Sequence, residues 1–218
     1  MKGSRPTKPT AGIRRCLDLA PFNGLCEELA TFRVDETLQM MEKRRARGRV
    51  LAFVRGLRLS ARLIYSIRDS VLARRRDLKA DWGHILDDDR IRCSPECDII
   101  IHRGHKYSWN GQRNDRVMDF KFVLGQDAVA VISCKSYLTS IRRVDAEYCR
   151  RVHRHVNNVW LFAECCPKTA LDHLRQKAKE AGYQKLWYLY TWDDGDRLNN
   201  PEVWLDCMDT LEAIIKPA

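Results

Sequence analysis

Residues 94–102 read Ser-Pro-Glu-Cys-Asp-Ile-Ile-Ile-His. Three consecutive isoleucines, bounded upstream by Pro95, predict a buried β-strand. Asp98 sits inside that run, where aspartate is depleted. A buried charge costs several kcal/mol, on the order of 3–5, unless something pairs with it, so this aspartate needs a reason. A second apolar run, Ala128 to Lys135 (AVAVISCK), ends in a lysine. Strand side chains alternate, which puts Val129, Val131, Ser133 and Lys135 on one face. If the two runs are neighbouring strands, Asp98 and Lys135 meet at their ends.

Working outward, Leu59, Leu63, Ile67 and Val71, widened by Ile64 and Leu72, form an amphipathic helical stripe. Arg55, Arg62, Asp69 and Arg76 lie on its opposite side. Asp81–Leu86 predicts a first strand, with Asp87-Asp88-Asp89 as its turn. Asn110-Gly111 marks another turn, and Val117–Val123 alternates as a further strand. A helix follows the lysine, with Ile141, Val144, Tyr148, Val152 and Val156 as its apolar stripe and Arg143, Glu147, Arg150 and Arg154 on a charged line. Val159–Ala163 is a strand. Lys168–Ala181 is a helix closed by Gly182. Leu186–Trp192 is an aromatic strand, and Asn200-Pro201 opens the last helix. Upstream, Asp35 can cap a helix running to Arg47. Strands interleaved with helices predict an α/β fold, a mixed central β-sheet flanked by helices.

Composition narrows the partners. The chain has 218 residues and a net charge of +10. That length suits one domain: a basic, partly mobile segment over 1–30, then a single α/β domain over 31–218. The positive excess favours a polyanion, nucleic acid first and DNA in particular, over a merely solvated basic surface. Arg62, Arg143, Arg150 and Arg154 are the candidate phosphate contacts. Nine cysteines, several in apolar runs, suit a reduced, cytoplasmic protein. No apolar run reaches the roughly 20 residues of a membrane span, and no secretory h-region opens the chain. A homodimer is one assembly the sequence allows.

Helix, three-strand meander, helix, strand, with an acid on the second strand and x-x-Lys closing the third, resembles the PD-(D/E)XK nuclease superfamily. The resemblance spans roughly residues 57–165, about a small domain core. It implies a restriction-endonuclease-like core with a C-terminal α/β extension. It also implies a Mg²⁺ or Mn²⁺ cofactor, with Asp98 as metal ligand and Lys135 as catalytic lysine beside the scissile phosphate. The family's second acid is replaced by Ser133, in Ser133-Cys134-Lys135, and a hydroxyl is a poorer ligand than a carboxylate. The Cys134 carbonyl, Asp69, Glu96 or Glu147 are the candidate substitutes. Asp69 and Glu147 equally suit salt bridges with neighbouring arginines, Asp98 a structural ion pair, and Lys135 a strand end reaching water. A Ser133 nucleophile lacks a Ser-His-Asp arrangement.

Two expectations follow: a DNA-binding, Mg²⁺-dependent endonuclease, or a catalytically inactive nuclease-like module that binds nucleic acid or protein. Cys93, Cys97, His102 and His105 also space like zinc ligands, but Cys97 and His102 fall on opposite strand faces.

Overall fold

The computed structural model describes residues 23–26, 48–75, 77–87, 92–105, 107–108, 120–193 and 196–215. The expected helix over 35–47, the turns at Asp88-Asp89 and Asn110-Gly111, and nearly all of segment 1–30 lie outside them. Within that segment, Leu25 and Cys26 are buried in the core.

The amphipathic stripe folds as α1 (Gly48–Asp69). Leu59, Leu63, Ile64 and Ile67 are fully buried, and each such side chain contributes about 1.5–3 kcal/mol on removal from water. After a short 3₁₀ turn come β1 (Lys79–Leu86), β2 (Cys97–His102), β3 (Tyr107–Ser108), β4 (Phe120–Leu124) and β5 (Ala128–Tyr137). The second half of the described chain alternates α2 (Arg143–Val152), β6 (Asn158–Pro167), α3 (Leu171–Glu180), β7 (Leu186–Asp193), β8 (Asp196–Asn199) and α4 (Pro201–Ile215).

The eight strands form one sheet in the order β3-β4-β1-β2-β5-β6-β7-β8. β1, β2 and β5 are adjacent and antiparallel, which is the expected meander. β5, β6 and β7 run parallel. The strand expected over 117–123 contributes β4, which lies on the far side of β1 and parallel to it. The aromatic strand continues into a hairpin with β8 that its polar sequence (Asp-Arg-Leu-Asn) did not announce.

Alternation divides the core in two. Ile99, Ile101 and Ile132 pack on α1 and on Trp204, Cys207 and Leu211 of α4. Ile100, Val131 and Leu161 pack on Cys149 and Val152 of α2 and Leu174 and Ala178 of α3. Ser133 and Lys135 follow Val131 onto this second face. Val129 instead packs toward the first face, where β5 carries a register shift opposite Ile101/His102. Val144, expected in the apolar stripe of α2, is 59% exposed. The buried residues of that helix are Asp145, Cys149 and Val152, because a carboxylate has turned inward.

Two glycines are required by geometry. Gly83 has φ +155°, and a Cβ there would stand 1.9 Å from the Lys121 carbonyl oxygen. It lets β4 close on β1 at the register shift in the β1–β2 pairing, between Asp81 and Gly83. Gly182, at φ +101°, closes α3 as expected. The next residue's N–H donates to the Ala178 carbonyl at 2.9 Å, which turns Tyr183 back under the sheet face.

Candidate functional site

Asp98 is held by the strand pairing itself. Ile99 pairs with Ile132, so one step further along Asp98 faces Ser133 across β2 and β5. Ser94 fixes the entry: its hydroxyl accepts the Ile85 N–H at 2.9 Å and donates to the Pro95 carbonyl at 2.7 Å. The strand therefore begins at Cys97, after the proline. Asp98 Oδ2 accepts the Cys134 N–H at 2.7 Å and the Ser133 hydroxyl at 3.3 Å. Burial raises the Asp98 pKa above its ordinary value; the Cys134 amide, the Lys135 charge and the Ser133 hydroxyl oppose that rise, and Glu96 adds to it.

Lys135 makes its ion pair elsewhere. Its Nζ lies 3.1 Å from Oδ1 of Asp145, whose side chain is 8% exposed against 37% for the lysine. The other oxygen, Asp145 Oδ2, accepts the Arg142 N–H at 2.8 Å and so caps α2. The Tyr183 hydroxyl donates to the Asp145 carbonyl at 3.5 Å. Burial first, then Cys149, Asp145 and Asp98, raise the Tyr183 phenol, while the Ser133 hydroxyl lowers it. Asp98, Ser133, Lys135, Asp145 and Tyr183 therefore form one cluster on the α2/α3 face.

Asp145 and Tyr183 were not among the sequence candidates. Asp145 sits among arginines in the first helical turn, where an acid reads as a routine cap. Its inward direction depends on which side of α2 faces Lys135.

The remaining candidates lie apart. Asp69 is exposed on α1, which packs on the opposite face from Ser133 and Lys135. Arg62 is on that same helix, beside Tyr65. Glu96 is exposed and accepts the Trp82 indole N–H at 2.9 Å. Glu147 is exposed on α2 with Arg143 and Arg150, and Arg154 is exposed in the turn after the helix. The zinc-like spacing has other uses. The Cys97 thiol, pushed up to about 12 by burial, donates to the Pro95 carbonyl. His102 sits between Asp81 Oδ2 at 2.9 Å and the Gly104 carbonyl at 2.7 Å.

The resemblance seen in the sequence implies a divalent metal, which can be tested against the donors. Mg²⁺ usually takes one or two carboxylates and fills its octahedron with water and phosphate. Here one Asp98 oxygen is occupied by an amide and a hydroxyl, and both Asp145 oxygens are occupied by Lys135 and the helix cap. Among the described residues no three His, Cys, Asp or Glu side chains group as a metal site. The donor set as arranged does not fit the ion.

No known family model matches the chain, and no curated protein matches it. Solved structures do. NucC of E. coli MS115-1, in its cAAA-bound form, superposes with a TM-score of 0.60 at 11% identity, over 97% of this chain and 92% of that one. NucC of P. aeruginosa ATCC27853, also cAAA-bound, gives 0.60 at 10% identity, over 96% and 92%. At such identities the likeness is one of fold. The chain has a restriction-endonuclease-like α/β fold, with helices on both faces of a mixed sheet. No helix among the described residues is long and apolar enough to cross a membrane.

Proposed function

We propose that this protein uses a nuclease fold to bind DNA, and that its acid–lysine cluster holds the backbone without cutting it. The observation that carries this reading is the Ser133 hydroxyl bonded to Asp98 where a second carboxylate is needed. Lys135 is the group in the cluster suited to a phosphate: a partly exposed ammonium at the end of β5. Beside it α2 presents Arg143, Arg150 and Arg151 outward, and Arg154 is exposed in the turn just after the helix. A backbone lying along that helix would exchange counterions for these side chains. The net charge of +10 favours the same partner.

The test is a fluorescence-anisotropy titration of a duplex at several salt concentrations. Wild type is expected to show a steep inverse dependence on salt. Arg150→Ala and Arg154→Ala should each flatten the log–log slope by about one. An unchanged slope in both variants would remove α2 and the turn after it from the interface.

One observation favours a second reading, in which the protein is a Mg²⁺- or Mn²⁺-dependent endonuclease. Asp145 is a buried carboxylate beside Lys135 on the site's own face. Hydrolysis would require it to leave both Lys135 and the α2 cap. Cutting by wild type that disappears in Asp145→Asn, with DNA binding retained, would select this reading.

A further inference from the structure

The rim of the Asp98–Lys135 cluster carries exposed apolar side chains as well as charge. Among the described residues five large apolar side chains are exposed, and two of them stand at this rim. Tyr137, 54% exposed, lies two residues beyond Lys135 on β5, about 7 Å further along the strand. Val144 is exposed in the first turn of α2, next to Asp145, whose carboxylate pairs with Lys135. A lone exposed apolar residue is ordinary on any surface. Two of five around one ion pair, with cations between them, suit a ligand that has both negative charge and an apolar face.

The Tyr137 ring projects from a fixed backbone. Tyr137 pairs with Cys165 of β6, and the next N–H, that of Leu138, donates to the Cys165 carbonyl at 2.9 Å. The Leu138 side chain is buried in the same core as Cys149 and Val152 of α2. A ring held this way loses little freedom when a ligand covers it. From Lys135 to Val144 the sequence is KSYLTSIRRV, with three cations and no acid. Lys135 is partly exposed, and Arg142 and Arg143 are exposed where the chain enters α2.

A duplex uses such a surface poorly. Its base faces are stacked on one another, and only base edges reach the grooves. A single strand offers phosphates to the cations and open base faces to the ring, the combination by which unpaired nucleic acid is held. We propose that the DNA this protein prefers is single-stranded, with Tyr137 stacking on an unpaired base while Lys135, Arg142 and Arg143 take the flanking phosphates. This rests on the DNA-binding reading of the same cluster and adds to it the form of the DNA and the residue that senses it.

Fluorescence anisotropy with the full chain compares three labelled probes of equal length at one salt concentration: an oligothymidylate, a duplex, and an abasic strand that has phosphates but no bases. Wild type is expected to bind the oligothymidylate about tenfold tighter than either of the others. Tyr137→Ala should weaken the oligothymidylate about tenfold more than it weakens the duplex or the abasic strand, and Tyr137→Trp, which restores a stacking face, should bind it like wild type. Circular dichroism confirms that both variants fold. Duplex binding as tight as that of the oligothymidylate overturns the proposal and leaves DNA binding intact. The same holds for a Tyr137→Ala variant that weakens all three probes equally or none of them. If wild type binds none of the three, the proposal falls together with the DNA-binding reading.

Discussion

Replacing Ser133 with glutamate puts a second carboxylate against Asp98 and makes their repulsion measurable as lost stability. The Ser133 hydroxyl oxygen is 3.3 Å from Asp98 Oδ2, so a carboxylate built there stands close by. Two unit charges about 4 Å apart repel by about 4 kcal/mol at an effective dielectric of about 20. Part of this is relieved when the pair takes up a proton, at about 1.4 kcal/mol per unit between the pH and the group's pKa. A net destabilisation of about 2–4 kcal/mol remains near pH 8, which for a chain of this size lowers the melting temperature by about 5–15 °C. A divalent cation between the carboxylates removes the repulsion. Ser133→Glu should therefore melt low in EDTA and recover in millimolar Mg²⁺, while wild type is indifferent to both. Ser133→Gln, of the same size without the charge, should melt near wild type. Differential scanning calorimetry on the three proteins decides it. A Glu variant as stable as wild type and blind to Mg²⁺ would refute the shared pocket. A Gln variant destabilised equally would show the effect to be steric.

Further predictions follow from single contacts. Burial raises the Asp98 pKa in the folded chain, so folding there favours the protonated acid. The stability this contributes is full below the unfolded pKa and is lost as pH rises through the folded one. Asp98→Asn should accordingly flatten the loss of stability above pH 4, and urea unfolding at pH 5 and pH 8 reads the difference; a variant as pH-sensitive as wild type over that range contradicts it. Gly83→Ala drives a Cβ into the Lys121 carbonyl at 1.9 Å and should cost about 3 kcal/mol or more. Chemical denaturation measures that, and a change below about 1 kcal/mol would mean β1 and β4 can separate.

Much of the sheet could be read along the chain because its central strands are buried on both faces. Ile99–Ile101 and Ala130–Ile132 carry β-branched residues in runs too short and too apolar for surface helices. The Asp98–Lys135 juxtaposition followed from those runs and from side-chain alternation. Tertiary geometry hid the rest. Val144 and Asp145 are neighbours on α2, and periodicity alone favoured burying the valine; the lysine across the sheet reverses the choice. Arg68, Asp81 and His102 are spread over 35 positions of sequence, from 68 to 102, and gather only because β1 pairs with β2 and the end of α1 packs against β1. Asn200 directly precedes Pro201 at the start of the last helix, as expected, and its side-chain amide also donates to the Leu198 carbonyl at the end of β8, a strand that the sequence did not reveal.

The most direct test places DNA, protein and millimolar Mg²⁺ or Mn²⁺ in one tube and follows both retention and integrity of a supercoiled plasmid. Wild type should retard the plasmid in a salt-sensitive way and leave it supercoiled, with Lys135→Ala weakening retardation. Nicking or linearisation by wild type that vanishes in Asp98→Ala and Lys135→Ala would contradict the account, because Ser133 would then not have cost the site its chemistry.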